Sequence, residues 1–307
     1  MKKVKVFAPA SVANVGCGYD TMGFAIEGVG EEIELELRLD QQLVVKDIVG
    51  ANLSKEPDQN VATIAIQSLL EDLKSDQGFN ITITKHFKPG SGLGSSASSA
   101  AGAVFAANEL LGNPYSKEEL LSFALEGEAF ASKCYHADNV APSLLGGFQV
   151  IRGYEPLDLF EVKTKLDLRV LIVFPDVQVR TAESKGLVPK EVPISIARDQ
   201  WANTAALVQA LNMGDAQLLQ RSIEDYVAEP VRKDQIPKYE EVKNLALSTG
   251  AVGFNISGSG PSMFALFLDD VKLERMERAV EEIYRASEFE LRIYQSKMDT
   301  SGCRIIT

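Results

Sequence analysis

Two periods of hydrophobic alternation run along this chain, and the places where one gives way to the other mark its elements. Residues 4–8 predict a strand ending at Pro9, followed by a loop of small residues from Ser11 to Gly23. Over residues 32–39, Glu and Arg alternate with Ile and Leu, the period of two expected of a half-buried strand. Residues 60–73 shift to helical spacing, with Ile64, Leu69, Leu70 and Leu73 apolar. Residues 80–84 alternate again, with Ile81 and Ile83 on one face. A helix is predicted over 95–111, stopped by Gly112 and Pro114. Ser116, with Glu119 three residues on, reads as a capping box opening the next helix.

The second half continues the mixture. A strand is predicted near 148–151, a turn at 153–156, and a buried strand at 168–174 closed by Pro175. Residues 194–245 read as mainly helical, interrupted near Gly214 and Pro230. Strands at 251–256 and 263–268 flank Ser257-Gly258-Ser259-Gly260-Pro261. An amphipathic helix over 272–286 and a strand over 290–296 complete the pattern. Strands and helices mix without strict alternation, which favours an α+β fold over a doubly wound one. The expected boundary lies before the buried strand, giving units at 1–165 and 166–307.

Composition removes several classes of function. The 307 residues carry 31 Lys and Arg against 43 Asp and Glu, a formal charge of −12. That field repels phosphate backbones and anionic lipid, and no basic tract offsets it, so nucleic-acid binding is not expected. An anionic small molecule would need local backbone N–H groups and a few cations. Cys17, Cys134 and Cys303 are scattered and odd in number, which suits a reducing compartment rather than a disulfide framework. With only His86 and His136 available, a histidine-based metal site is not expected. No run of eighteen apolar residues suggests a membrane span, and the expectation is a cytoplasmic protein.

The sharpest chemistry lies in Lys88-Pro89-Gly90-Ser91-Gly92-Leu93-Gly94-Ser95-Ser96-Ala97-Ser98, between a predicted strand and a predicted helix. Three glycines allow positive φ and close approach to a ligand. The helix that follows offers unpaired N–H groups and the positive end of its dipole, and Ser95 and Ser96 add hydroxyls. Such a segment is an anion cradle. It is not a P-loop, because no Gly-Lys-Ser/Thr follows, and its glycine spacing is wrong for a dinucleotide fingerprint. Glu128 stands out independently. It lies seven residues after Leu121 and three after Leu125, which puts a carboxylate on the apolar face of its helix. A buried carboxylate calls for a cation partner.

This loop resembles the phosphate loop of the GHMP kinases. Two further segments resemble that superfamily in the same order: residues 8–20, APASVANVGCGYD, and residues 256–262, ISGSGPS. Asn-Val-Gly-x-Gly-Tyr-Asp at 14–20 and His-Ala-Asp-Asn-Val-Ala-Pro at 136–142 are typical of the branch that phosphorylates L-homoserine. Thr181-Ala182-Glu183 and Glu229-Pro230-Val231-Arg232 fit it as well. The resemblance implies two α+β domains, the first like domain 2 of ribosomal protein S5 and the second ferredoxin-like, with ATP in the cleft between them. The implied reaction is ATP plus L-homoserine giving ADP and O-phospho-L-homoserine, a step of threonine biosynthesis. Members of the superfamily are often homodimers, so the resemblance admits a homodimer here.

The resemblance also implies roles. The loop 88–98 would wrap the β- and γ-phosphates, and Ser96 and Glu128 would hold Mg2+ through hard oxygen ligands. Asn14, Asp20 and Asp138 offer acceptors for the substrate amine and hydroxyl. Arg232 is the carboxylate clamp, because a guanidinium binds two oxygens at once. His136, Thr181 and Gly258 match positions beside the substrate. Lys185 stands where relatives usually carry arginine, keeping the charge but losing the fork. Asn60 matches an adenine contact, with a plain helix N-cap as the alternative. Some members pair an aspartate with a lysine near the transferred group, but here Asn139 follows Asp138. Direct in-line attack by the substrate hydroxyl, oriented by Asp20 or Asp138 and without a dedicated strong base, is therefore the expected mechanism. The rivals are a mevalonate-type kinase of the same superfamily and a ligand-binding protein without turnover.

Overall fold

The computed structural model describes residues 2–177 and 186–306. β1 (Lys3–Ala13), β2 (Met22–Arg38), β3 (Leu43–Val49), β4 (Gly78–Lys85), β5 (Phe148–Tyr154) and β6 (Leu157–Val162) form one sheet together with the short β11 (Arg304–Ile305). Its main path runs β11-β1-β2-β4-β3, while β5 pairs with the other end of the long β2 and with β6. All pairs are antiparallel except β3 with β4. A second, antiparallel sheet has the order β10-β7-β9-β8, from β7 (Arg169–Pro175), β8 (Gly253–Ile256), β9 (Met263–Phe267) and β10 (Leu291–Lys297).

The helices fall into two groups. α1 (Val61–Leu73), α2 (Ser95–Leu110), α3 (Leu120–Ser132) and α4 (Ala137–Leu145) share one apolar core with the first sheet, built around Ile33, Leu35, Ile66, Leu69, Ile81 and Val104. α2 is almost all Ala, Ser and Gly, so it lies close on the sheet. A Cβ added at Gly102 would sit 2.6 Å from Ile33 Cγ1 and 3.0 Å from Ala8 Cβ. α5 (Ile194–Met213), α6 (Ala216–Ser222), α7 (Glu229–Arg232), α8 (Tyr239–Thr249) and α9 (Asp270–Tyr284) belong to the second half. α8 and α9 cover the second sheet through Val242, Ala246, Met276 and Val280. A separate cluster joins the two sheets, where the Phe24 ring meets Phe148 and Phe264 at 6.1 Å each.

Several elements differ from the sequence pattern. β1 does not end at Pro9 but continues to Ala13, with a register shift between Pro9 and Ser11 that accommodates a residue with no N–H. The Pro9 carbonyl is taken instead by the Ser98 and Ser143 hydroxyls, at 2.9 and 2.8 Å. β3, β6 and α4 are additional to the predicted elements. The capping box forms reciprocally: Ser116 N donates to Glu119 Oε2 at 2.7 Å, and Glu119 N donates to Ser116 Oγ at 3.3 Å. No helix among the described residues is long and apolar enough to cross a membrane.

Candidate active site

The glycine-rich segment leaves β4 and enters α2 with Gly90, Gly92 and Gly94 at φ of +79°, +87° and +68°. Gly92 is required for a second reason besides its φ. A Cβ there would lie 2.6 Å from the Ser257 carbonyl oxygen and 2.8 Å from that of Gly260, so the segment rests directly on the 257–260 turn. Ser257 Oγ donates to the Gly92 carbonyl at 2.7 Å, and Ser262 N to that of Ser91 at 3.1 Å. Gly94 is the N-cap of α2 and carries no capping side chain. The first intrahelical bond runs from Ser98 N to the Gly94 carbonyl, so the N–H groups of Ser95, Ser96 and Ala97 have no intrahelical acceptor. They supply the positive end of the helix dipole at the head of a cleft.

That cleft, of about 340 Å3, is lined by Pro89, Gly90, Gly92, Gly94, Ser95 and Ser96 from the loop. Ser91, Leu93, Ala97 and Ser98 are buried in the packing beneath it. Lys88 lies on the outside, with Nζ 2.6 Å from Asp176 Oδ1 just beyond β7. On the α3 side, Ser96 Oγ donates to Glu128 Oε2 at 2.5 Å, and His136 Nδ1 lies 3.3 Å from Glu128 Oε1. Glu128 is buried with Leu121 and Leu125. Below the first turn of α2 sits a dry ion pair: Lys85 Nζ donates to Glu31 Oε1 at 2.7 Å, to Ser95 Oγ at 2.8 Å and to Ser99 Oγ at 2.9 Å. Ser95 and Ser99 donate in turn to the two Glu31 oxygens.

The rest of the lining gathers groups far apart in sequence. The Gly258 carbonyl accepts from Asn14 Nδ2 at 2.9 Å and from Arg232 Nη1 at 3.0 Å. Asn14 Oδ1 accepts the Asp20 N–H at 3.0 Å, and the Arg232 guanidinium lies 5.2 Å over the Tyr19 ring. Asp20, Asp138, Asn139 and His136 complete the lining. Asp138 is buried, and its Oδ1 accepts no hydrogen bond from any described residue. Burial, and then the negative charge of Asp20, push its carboxyl up to about 7. Asn139 Oδ1 accepts from Ser11 Oγ at 2.9 Å.

The structure thus brings Asn14, Asp20, Ser96, Glu128, His136, Asp138, Arg232 and Gly258 around one cleft. Asn60 does not itself line the cleft, although Val61 beside it does. Its Oδ1 caps α1 through Ala62 N at 3.0 Å, and its Nδ2 donates to the Ser54 carbonyl at 2.9 Å, which is the helix-cap alternative. Thr181 and Lys185 lie outside the described residues. Ser259, from the 256–262 segment, lines the cleft as well, and Lys85 and Ser132 do so without having been singled out in the sequence. Lys85 carried a usable signal, since it is in phase with Ile81 and Ile83 on the inner face of β4.

Residues 60–147 match the GHMP kinases N terminal domain family, and residues 205–286 match the GHMP kinases C terminal family. Homoserine kinase of Chloroherpeton thalassium is 42% identical over the whole of both chains. That of Methanococcus maripaludis strain S2 is 39% identical over 87% of this chain and 88% of its own. The crystal structure of homoserine kinase from Cytophaga hutchinsonii matches with a TM-score of 0.96 at 40% identity, covering 100% of this chain and 98% of that one. L. major mevalonate kinase shares the fold, with a TM-score of 0.74 at 19% identity. Fold and site together define a GHMP kinase, a class that uses ATP as its phosphate donor. Within that class the chain belongs to the homoserine kinase family.

Proposed function

We propose that this protein transfers the γ-phosphoryl group of ATP to the side-chain hydroxyl of L-homoserine, giving ADP and O-phospho-L-homoserine. One observation carries the reading: the N–H-rich start of α2, with Ser96 and Glu128 beside it, shares a single cleft with Arg232, Asp20 and Asp138. A triphosphate fits one side of it, and an amino-acid alcohol fits the other.

The phosphates lie against the loop N–H groups and the N-terminus of α2, which stabilise charge without covalent help. Ser96 Oγ and Glu128 fit Mg2+. They are hard oxygen donors at the edge of the phosphate site, and no group of three or more His, Cys, Asp and Glu among the described residues could hold a metal alone. This matches an ion that takes one or two protein oxygens and completes its shell with phosphates and water. When bound, it neutralises charge on the transferring group.

The substrate carboxylate pairs with the Arg232 fork, while Asn14, Asp20 and Asp138 accept from its ammonium and hydroxyl groups. His136 and Gly258 border the same space. Asp20 or Asp138 orients the hydroxyl for in-line attack, so that alignment rather than a strong base supplies the rate. The test is an ADP-release assay across homoserine, serine, threonine, mevalonate and galactose. Turnover with homoserine far above the others is expected, and preference for mevalonate would overturn the assignment.

A further inference from the structure

Two of the stretches that line the proposed amino-acid site, the 14–20 loop and α7, are far apart in the chain. A buried polar cluster behind them fastens one to the other. α7 has four residues, too few to hold its own geometry. Within it Pro230 has no N–H, and Val231 N and Arg232 N donate to the Ala228 carbonyl at 3.2 and 3.1 Å, which leaves Glu229 N and the turn leading in to be satisfied from outside. Asp225, itself buried, takes those N–H groups. Its Oδ1 accepts from Val227 N at 2.8 Å and Ala228 N at 3.2 Å, and its Oδ2 from Ala228 N at 3.2 Å and Glu229 N at 2.9 Å.

Gln200 on α5 extends this cluster to the other stretch. Its Nε2 donates to Asp225 Oδ1 and to the Cys17 carbonyl, both at 2.9 Å, and its Oε1 accepts from Tyr226 N at 3.0 Å. One amide therefore bridges the loop bearing Asn14 and Asp20 to the segment bearing Arg232. At the cleft itself the Gly258 carbonyl joins the same two stretches through Asn14 and Arg232. Arg232 is thus held from behind as well as in front.

We propose that Asp225, tied by Gln200 to the 14–20 loop, is a positioning residue that aims Arg232 at the substrate carboxylate. This rests on the assignment of Arg232 as the carboxylate clamp. Two parallel N–H···O bonds demand a fixed plane and direction, so a small tilt of α7 costs the second bond.

Asp225→Asn keeps the side chain's shape but turns an NH2 toward backbone N–H groups. It should raise KM for homoserine about tenfold. KM for ATP and kcat at saturating homoserine should stay within about twofold, a split that general loosening of the fold would not give. Turnover of 3-amino-1-propanol, which lacks the carboxylate, should be unchanged. Arg232→Lys should raise KM for homoserine further, and adding Asp225→Asn to it should change little.

If Arg232→Lys leaves KM for homoserine unchanged, the clamp assignment fails. If Arg232→Lys raises it but Asp225→Asn does not, or the two effects add in full, the positioning role fails while the clamp stands. Should Asp225→Asn not fold, Gln200→Leu spares the backbone contacts of Asp225 and cuts only the bridge. It should raise KM for homoserine severalfold, and an unchanged KM would overturn the proposal.

Discussion

Replacing Lys85 by methionine would remove the cation from the driest ion pair among the described residues. Lys85 and Glu31 are direct cross-strand partners on β4 and β2, with side chains 2% and 0% exposed. The ammonium spends its three protons on Glu31, Ser95 and Ser99. Methionine fills the volume but leaves the Glu31 carboxylate buried with only two hydroxyl donors. Breaking one side of such a pair costs about 3–5 kcal/mol, because the remaining charge has no counter-ion and no water. For a chain of this size that is a fall in Tm of roughly 5–8 °C.

The double variant Glu31→Gln, Lys85→Met leaves no charge and should recover most of the loss. Thermal or urea unfolding of the three proteins measures this directly. Since Ser95 and Ser99 sit in the first turns of α2, the single variant should also raise KM for ATP. A fall below about 2 °C, or a double variant no more stable than Lys85→Met, would refute the claim that an unpaired Glu31 is the source of the cost.

Other perturbations probe the cleft itself. Glu128→Gln should lower kcat by more than about tenfold with the fold retained; unchanged turnover at saturating magnesium would take Glu128 out of the mechanism. Gly92→Ala puts a methyl group against the Ser257 and Gly260 carbonyl oxygens at φ +87°, and should cost roughly 1–3 kcal/mol and weaken ATP binding. Asp138 titrates at about 7 when folded, against an ordinary 3.8, so the folded state binds its proton more tightly. The resulting stabilisation is complete below the ordinary value and is lost as pH rises to about 7. Asp138→Asn should therefore raise Tm relative to the parent at pH 8 but not at pH 4, while lowering turnover. The parent's kcat/KM for homoserine should fall as pH drops below 7, where Asp138 becomes protonated.

The sequence showed the loop, the helix it feeds and Glu128 because each breaks a local pattern: glycines before a helix, or a charge on an apolar face. Lys85 and Glu31 also break one, in phase with Ile81 and Ile83 on one strand and with Ile33 and Leu35 on the other. Each lies at the edge of its apolar run, where a charge ordinarily reads as a strand end. Only the cross-strand register shows that they meet. Asn60 was open to two readings, and the geometry of its amide, used at both ends by backbone, favours the cap. β1 was cut short because proline normally ends a strand, and a bulge removes that objection. Asp225 and Gln200 carry no motif at all. Their placement depends on α5 lying beside the 14–20 loop, a long-range contact that no local spacing encodes.

The final strand, β11, adds to the outer edge of β1, and just before it Asp299 Oδ1 accepts the N–H groups of Ser301 and Gly302. Gly147 N, after the last turn of α4, donates to the Asp299 carbonyl. During synthesis the phosphate-binding half therefore leaves the ribosome with one sheet margin bare, and that margin stays open until Arg304 and Ile305 emerge. A nascent chain stalled near residue 290 would expose a sticky edge. Chaperone dependence should accordingly outlast the midpoint between the two halves.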